Sequence, residues 1–134
     1  CEGGSTMLIA TAKPKEAKFV SVDLEDNYNK TVKALLDKNT SIILGDSKKY
    51  VPPEKIDLIF IDGDHSFEGV KNDFDHYFPC LKEGADILFH DAVGAGRNIF
   101  VAPPVNAFVK QLEKNPDLKF IKDIESIRHL KKIK

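Results

Sequence analysis

The side chains best equipped for chemistry recur at the ends of short apolar runs in this 134-residue chain. Asp23 closes KFVSVD, Gly45-Asp46 follows SIIL, Asp62-Gly63-Asp64-His65 follows IDLIFI, and His90-Asp91 closes DILFHD. Carboxylates accept hydrogen bonds from hydroxyls and hold cations, while imidazole moves a proton near neutral pH or ligates a metal. Each group alone reads as a turn or helix cap, because Asp and Gly favour turns. Four of them at successive run ends predict a shared edge, since ligands of open parallel sheets bind outside the carboxyl ends of the strands.

The opening Cys1-Glu2-Gly3-Gly4-Ser5-Thr6 precedes a helical stretch from Met7 to Lys13. Glycines before a helix leave backbone N–H groups and the helix dipole facing an anionic or carboxylate-bearing ligand, the alternative being a frayed terminus with an ordinary cap. Asp23 follows at about the spacing of a ribose-binding carboxylate in dinucleotide-type folds. Together these point to a nucleoside-containing cofactor.

The elements that must position these groups follow from hydrophobic patterning. Four continuous, β-branched runs, residues 18–23, 41–44, 56–62 and 86–91, have the character of strands covered on both faces. Helical spacing predicts one helix over Asn27–Lys38, with Val32, Leu35 and Leu36 on one face. It predicts another over Phe67–Leu81, with Phe67, Val70, Phe74, Tyr77, Phe78 and Leu81 in one stripe, Ser66 as N-cap and Pro79 as a breaker. Pro104 opens a helix bearing Val105, Phe108, Val109 and Leu112, and Leu118–Lys122 and Ser126–Ile133 read as closing strands. The loop from Ala92 to Pro103 is the longest connection and a candidate lid. The alternation predicts an α/β, Rossmann-like doubly wound, mostly parallel sheet with a C-terminal antiparallel hairpin, in one domain spanning residues 1–134.

With 42% hydrophobic and 31% charged residues the chain excludes collagen-like, low-complexity and wholly disordered classes. Twenty basic against 21 acidic residues produce no general field toward nucleic acid or anionic membrane. No apolar run approaches the roughly 20 residues of a membrane span. Cys1 and Cys80 form neither a disulfide framework nor a zinc spacing, so a cytoplasmic setting is expected.

The stretch IDLIFIDGDHSFEGVKNDFDHYFPCLKEGADILFHD, residues 56–91, resembles the class I S-adenosylmethionine-dependent methyltransferases, in particular the small-molecule O-methyltransferase branch that includes macrocin-type enzymes. CEGGSTMLIA resembles the latter half of that family's glycine-rich cofactor loop. The only methionine is Met7, and the resemblance leads us to expect that the family's central first strand and the start of the loop precede Cys1, so that this chain is N-terminally truncated. Ala85 stands where relatives often carry a second glycine.

The resemblance implies S-adenosyl-L-methionine as cofactor. It implies that Gly3, Gly4 and Ser5 surround the methionine part, that Asp23 meets the ribose, that Asp46 and Ser47 meet the adenine edge, and that Asp62, Gly63 and His65 lie beside the sulfonium. Asp62 and His90 are the catalytic candidates. By likeness to metal-dependent relatives, Asp62, His90 and Asp91 form a metal set for Mg or another divalent ion, with His90 better suited to Mn, Fe or Zn. The expected partner is a small hydroxylated substrate such as a sugar or glycosylated natural product, with no nucleic acid or membrane and with homo-oligomer formation open.

Two other readings compete: a metal-dependent hydrolase built on Asp62, Asp64, His65, His90 and Asp91, and a non-catalytic module of the same fold. The first leaves the glycine loop and Asp23 without a role. His76 and Asp75 read as a solvated helical face, His129 as part of an exposed strand whose lysines discourage edge pairing, and Cys80 as a buried small hydrophobe. Tyr28, Tyr50 and Phe67 suit simple packing better than stacking on adenine.

Overall fold

The computed structural model describes residues 3–26, 28, 30–94 and 100–134, with the side chains of residues 31, 32 and 35 outside that description. Cys1, Glu2, Asn27, the Val32 and Leu35 side chains, and the centre of the candidate lid at 95–99 therefore lie outside the described residues. The chain divides into two compact units, Cys1–Tyr50 and Val51–Lys134.

In the first unit, helix α1 (Gly4–Ala12) is followed by β1 (Phe19–Asp23), α2 (Lys30–Leu35), β2 (Thr40–Leu44) and a single 3-10 turn at Ser47–Lys49. β1 and β2 pair in parallel, Phe19 opposite Thr40 through Asp23 opposite Leu44. A hydroxyl cluster ties α1 to this sheet. Thr6 Oγ1 lies 2.9 Å from Ser21 Oγ and 3.4 Å from the Tyr28 hydroxyl, and Ser21 Oγ lies 2.9 Å from the same phenol. Thr6 and Tyr28 are both buried, so the three hydroxyls satisfy one another where water does not reach.

The second unit runs β3 (Ile56–Ile61), α3 (Phe67–Tyr77), β4 (Leu81–Phe89), α4 (Pro103–Leu112), β5 (Leu118–Ile124) and β6 (Ile127–Lys132). Its sheet has the order β3-β4-β6-β5. β3 and β4 are parallel, while β6 runs antiparallel to both β4 and β5, which makes β5–β6 the expected hairpin. Parallel pairing thus accounts for two of the four strand pairs described.

Helices α3 and α4 pack on the same face of this sheet. Phe74 of α3 and Phe108 of α4 meet each other at 5.7 Å between ring centroids, and each meets Phe89 of β4, at 6.0 and 6.2 Å. Ile87 and Phe89 are wholly buried there, with Val70, Val105, Val109 and Leu130 around them. Fully burying such a side chain contributes about 1.5–3 kcal/mol, so the strand ends rest on a close-packed base. Ser66 caps α3 through its side chain, accepting from Gly69 N at 3.0 Å, and Pro103 sits in the first turn of α4.

Four local expectations change. α2 is half the predicted length. The α3 stripe stops at Tyr77, and a 3-10 turn containing Pro79 hands the chain to a strand that already begins at Leu81. Leu81 is buried as a strand residue, and the pairing slips between Ile56–Leu81 and Leu58–Asp86 around Gly84, whose φ of 83° suits glycine. β6 is not an edge: it lies between β4 and β5, and His129 donates its proton to or accepts one from Asp86, Nε2 to Oδ1 at 2.8 Å. Cys80 is half-buried rather than buried. Asp75 pairs with Lys71 on the solvated side of α3, and Phe67 packs edge-on against Phe108, as expected.

Candidate active site

In the first unit the sequence-predicted cofactor residues gather at one corner. Gly3 is buried in the left-handed region at φ 77° and serves as the N-cap of α1, a conformation that favours glycine. Gly3 brings no side-chain cap to the first turn of α1. The Thr6–Ser21 bond sets this turn beside β1, two residues before Asp23 at the strand's end. Gly45 N donates to the Asp23 carbonyl at 2.8 Å, holding the β1 and β2 ends together. Asp46 and Ser47 follow directly. Asp46 caps the 3-10 turn, accepting from Lys48 N at 3.0 Å, and Asp23 accepts weakly from Glu25 N at 3.3 Å.

In the second unit the ends of β3 and β4 build a cluster of two carboxylates and two imidazoles. Ile61 and Phe89 are register partners, and His90 N donates to the Ile61 carbonyl at 3.0 Å, so Asp62 and His90 are neighbours at the next step of the parallel pair. His90 Nδ1 lies 3.0 Å from Asp62 Oδ1 and 3.3 Å from Asp91 Oδ1. The turn Asp62-Gly63-Asp64-His65 then returns His65 to the same place, with Nε2 3.5 Å from Asp62 Oδ1 and Nδ1 3.9 Å from Asp91 Oδ2. Gly63 allows this tight return, since a Cβ there would stand 3.2 Å from Asp73 Oδ2.

The cluster is open on one side. The Asp62, His65 and His90 side chains keep 27%, 38% and 33% of their exposure, whereas Asp91 keeps 13%. His90 Nδ1 is itself buried, and despite its short distances to the two carboxylates it makes no aligned hydrogen bond. The ring's exposure therefore belongs to its remaining atoms, the edge that carries Nε2.

Asp91 is held in a costly conformation. Its φ of 51° places a non-glycine residue in the left-handed region, which Asp tolerates better than most. Several bonds over-determine it. The Asp91 carbonyl accepts from Ala102 N at 2.8 Å, the next carbonyl, of Ala92, accepts from Asn106 Nδ2 at 2.6 Å, and Ala92 N and Val93 N both donate to Ser126 O. Such strain persists where the surroundings fix it, often at functional sites. Asn106 and the Ser126 carbonyl are the functional positions that sequence reasoning missed, and nothing in their local pattern marks them.

The expected metal set was Asp62, His90 and Asp91. In space, one donor atom each from Asp62, His65 and His90 lies within 4.8 Å of the other two, and Asp91 lies 3.9 Å from His65 Nδ1 and 3.3 Å from His90 Nδ1. An oxygen and two nitrogens around a buried, unaligned Nδ1 are a donor set that fits a divalent ion. His65, expected beside the cofactor, is thus part of the acid–base cluster.

A family model described as a methyltransferase domain matches residues 1–92. An uncharacterized protein of Acanthamoeba polyphaga mimivirus is 38% identical over 61 residues, which are 46% of this chain and 28% of that protein, so the match spans well under a third of the curated relative's length. Among solved structures, the O-methyltransferase TomG of Streptomyces achromogenes, involved in tomaymycin synthesis and determined with S-adenosylmethionine, superposes with a TM-score of 0.71 at 13% identity, over 99% of this chain and 70% of that one. The O-methyltransferase of Bacillus cereus, determined with S-adenosylhomocysteine, gives 0.67 at 15% identity over 98% and 70%. The N-methyltransferase NodS of Bradyrhizobium japonicum gives 0.64 at 13% identity over 100% and 82%. At these identities the likeness establishes the Rossmann-like fold and not the acceptor.

Proposed function

The chain belongs to the methyltransferase-domain family, and from that premise we propose that it moves a methyl group from S-adenosylmethionine to a hydroxyl of a small molecule, such as a sugar or a glycosylated natural product, with its two units acting as one domain. The observation that carries this reading is the corner of the first unit, where an uncapped helix start is bonded through Thr6 to the strand that ends in Asp23. A hydrolase built on the second unit's carboxylates would leave that corner without a role.

The cofactor, when bound, supplies an electrophilic methyl on a positively charged sulfur. The first turn of α1, at Gly4 and Ser5, suits its carboxylate, because a helix N-terminus and its dipole favour an anion. Asp23 accepts from ribose hydroxyls, and Asp46 and Ser47 border the adenine. Asp62, with Gly63 allowing close approach, places a carboxylate beside the sulfonium. His90 takes the acceptor's hydroxyl proton at Nε2 while Nδ1–H stays turned toward Asp62 and Asp91, which orient the ring and stabilise its charged form. The bound cofactor would supply the methyl that the deprotonated acceptor oxygen takes up, with sulfur keeping the electron pair of the broken carbon–sulfur bond. Most of the rate comes from positioning.

A second reading is favoured by the clustered donors: Asp62, His90 and Asp91, joined by His65, would hold a divalent ion that stabilises the acceptor alkoxide.

Titration with S-adenosylhomocysteine tests the assignment of roles. Asp23→Ala weakens binding at least tenfold, whereas Asp91→Ala leaves it within about threefold and lowers turnover instead. Equal losses of binding from both substitutions would refute it.

A further inference from the structure

We propose that Ser21 is a positioning residue whose one hydroxyl ties together the two ends of the cofactor site in the first unit. This rests on the methyl-transfer reading, in which the start of α1 meets the methionine part and Asp23 meets the ribose. Three hydroxyls gather beside that corner, and they are not equivalent. Ser21 Oγ lies 2.9 Å from Thr6 Oγ1 and 2.9 Å from the Tyr28 hydroxyl, whereas Thr6 and Tyr28 stand 3.4 Å apart, beyond the usual reach of an O–H···O bond. A serine hydroxyl has one proton to donate and lone pairs with which to accept, so Ser21 holds both neighbours at once, donating to one and accepting from the other.

Each neighbour carries a different part of the site. Thr6 is in the first turn of α1, so its bond fixes where the helix start stands against β1. Tyr28 follows Asp23 in the chain leaving β1, so its bond returns that chain to the strand it came from. Ser21 and Asp23 alternate with Val22, and a strand's period of two places them on one face. Thr6 and Tyr28 are buried. Apolar side chains would join the same pieces without the desolvation cost of hydroxyls, but apolar contacts tolerate sliding, while a hydroxyl is satisfied only over a narrow range of distance and angle. The junction therefore sets the separation between the helix start and Asp23 more sharply than packing alone. S-adenosylhomocysteine, which reaches both ends, feels that separation. Adenosine, which reaches only Asp23 and the adenine edge, does not.

The test is calorimetric titration of the 134-residue chain, as wild type, Ser21→Ala, Ser21→Thr and Thr6→Val, with S-adenosylhomocysteine and with adenosine. Ser21→Ala weakens S-adenosylhomocysteine by about fivefold or more, the scale of one or two neutral hydrogen bonds, and adenosine by less than about twofold. Ser21→Thr keeps the hydroxyl on a residue that suits a strand, and stays within about twofold of wild type for both ligands. Thr6→Val keeps the β-branched shape, breaks only the link to α1 and leaves Ser21 and Tyr28 bonded. It repeats the selective loss, so the test stands even if Ser21→Ala fails to fold. A general loosening of the unit would weaken both ligands alike, as Asp23→Ala does by removing the ribose contact. Equal losses for the two ligands, S-adenosylhomocysteine affinity unchanged in Ser21→Ala and Thr6→Val, or Ser21→Thr as weak as Ser21→Ala would each overturn the proposal. If S-adenosylhomocysteine does not bind wild type, the methyl-transfer reading falls and this inference falls with it. If it binds wild type and the hydroxyl-free variants alike, only this inference falls.

Discussion

Replacing Asn106 isolates what holds the loop that follows β4. Its Nδ2 donates to the Ala92 carbonyl at 2.6 Å, Ala92 is wholly buried, and Ala92 directly follows the strained Asp91. Asn106→Ala removes the donor and leaves a buried carbonyl unpaired, at a cost of about 1–3 kcal/mol. Taking the middle of that range, about 2 kcal/mol corresponds to a roughly 30-fold larger unfolding constant. Asn106→Asp keeps the volume but turns a carboxylate toward the carbonyl, so at neutral pH it costs at least as much as the alanine change. Below about pH 4 its protonated carboxyl can donate, and part of the deficit relative to wild type at the same pH returns. Urea unfolding of the three proteins at pH 7 and at the lowest pH where wild type stays folded measures both effects. Variants within 0.5 kcal/mol of wild type, on the order of ordinary surface changes, or an aspartate deficit that does not shrink on acidification, would refute the anchoring role.

Two further outcomes probe the elements on either side. A Cβ at Gly69 would stand 2.3 Å from Asp64 Cγ, so Gly69→Ala must swing Asp64 off Ser66 N, to which it is bonded at 2.8 Å; overpacking of this kind costs about 1–3 kcal/mol, and an unchanged urea midpoint would contradict the contact. Burial pushes the Asp86 carboxyl up, but bonds from His129 and Lys131 outweigh it and hold the group below its ordinary value, so its stabilisation is full above the ordinary carboxylate range and is lost as pH falls through the lowered value. The stability difference between wild type and Asp86→Asn should therefore shrink as pH falls below about pH 4, and a difference that grows there would reverse the sign of the argument.

Strand ends were the most legible part of this chain, and the reason is local. A parallel strand is a continuous apolar run, and the first polar residue after it marks the edge, so Asp23, Asp46, Asp62 and His90 could be placed without coordinates, although Val20, Leu44 and Leu58 stay exposed where strands covered on both faces were expected. The α3 N-terminus was equally plain, because Ser66 does what an N-cap must and the side chain bonds its first turn. Leu81 misled for a physical reason. A leucine fourteen residues after Phe67 extends a helical stripe, and a leucine opening a strand beside Ile56 is just as apolar; periodicity cannot separate them, and only Pro79 with the left-handed Gly84 decides. His129 misled because lysines around a strand signal an exposed edge, while here the charge of Lys131 and His129 is answered by Asp86 on the neighbouring strand.

The active-site cluster shows where one-dimensional reasoning stops. Asp62, His90 and Asp91 were foreseeable from strand order, because consecutive parallel strands put their ends side by side. His65 could be named as a candidate but not placed, since its position depends on a turn that brings residue i+3 back over residue i, with Nε2 3.5 Å from Asp62 Oδ1. The left-handed Asp91 depends on partners from three separate places, donors at Ala102 and Asn106 and the accepting Ser126 carbonyl of the β5–β6 turn, none adjacent in sequence to the strand it closes. Side chains that perform the chemistry can thus be read from the ends of single elements. Whether His90 serves through Nε2 as a base or through Nδ1 as a metal ligand depends on how Asp62 and Asp91 stand against Nδ1, at 3.0 and 3.3 Å, and packing between elements sets those distances.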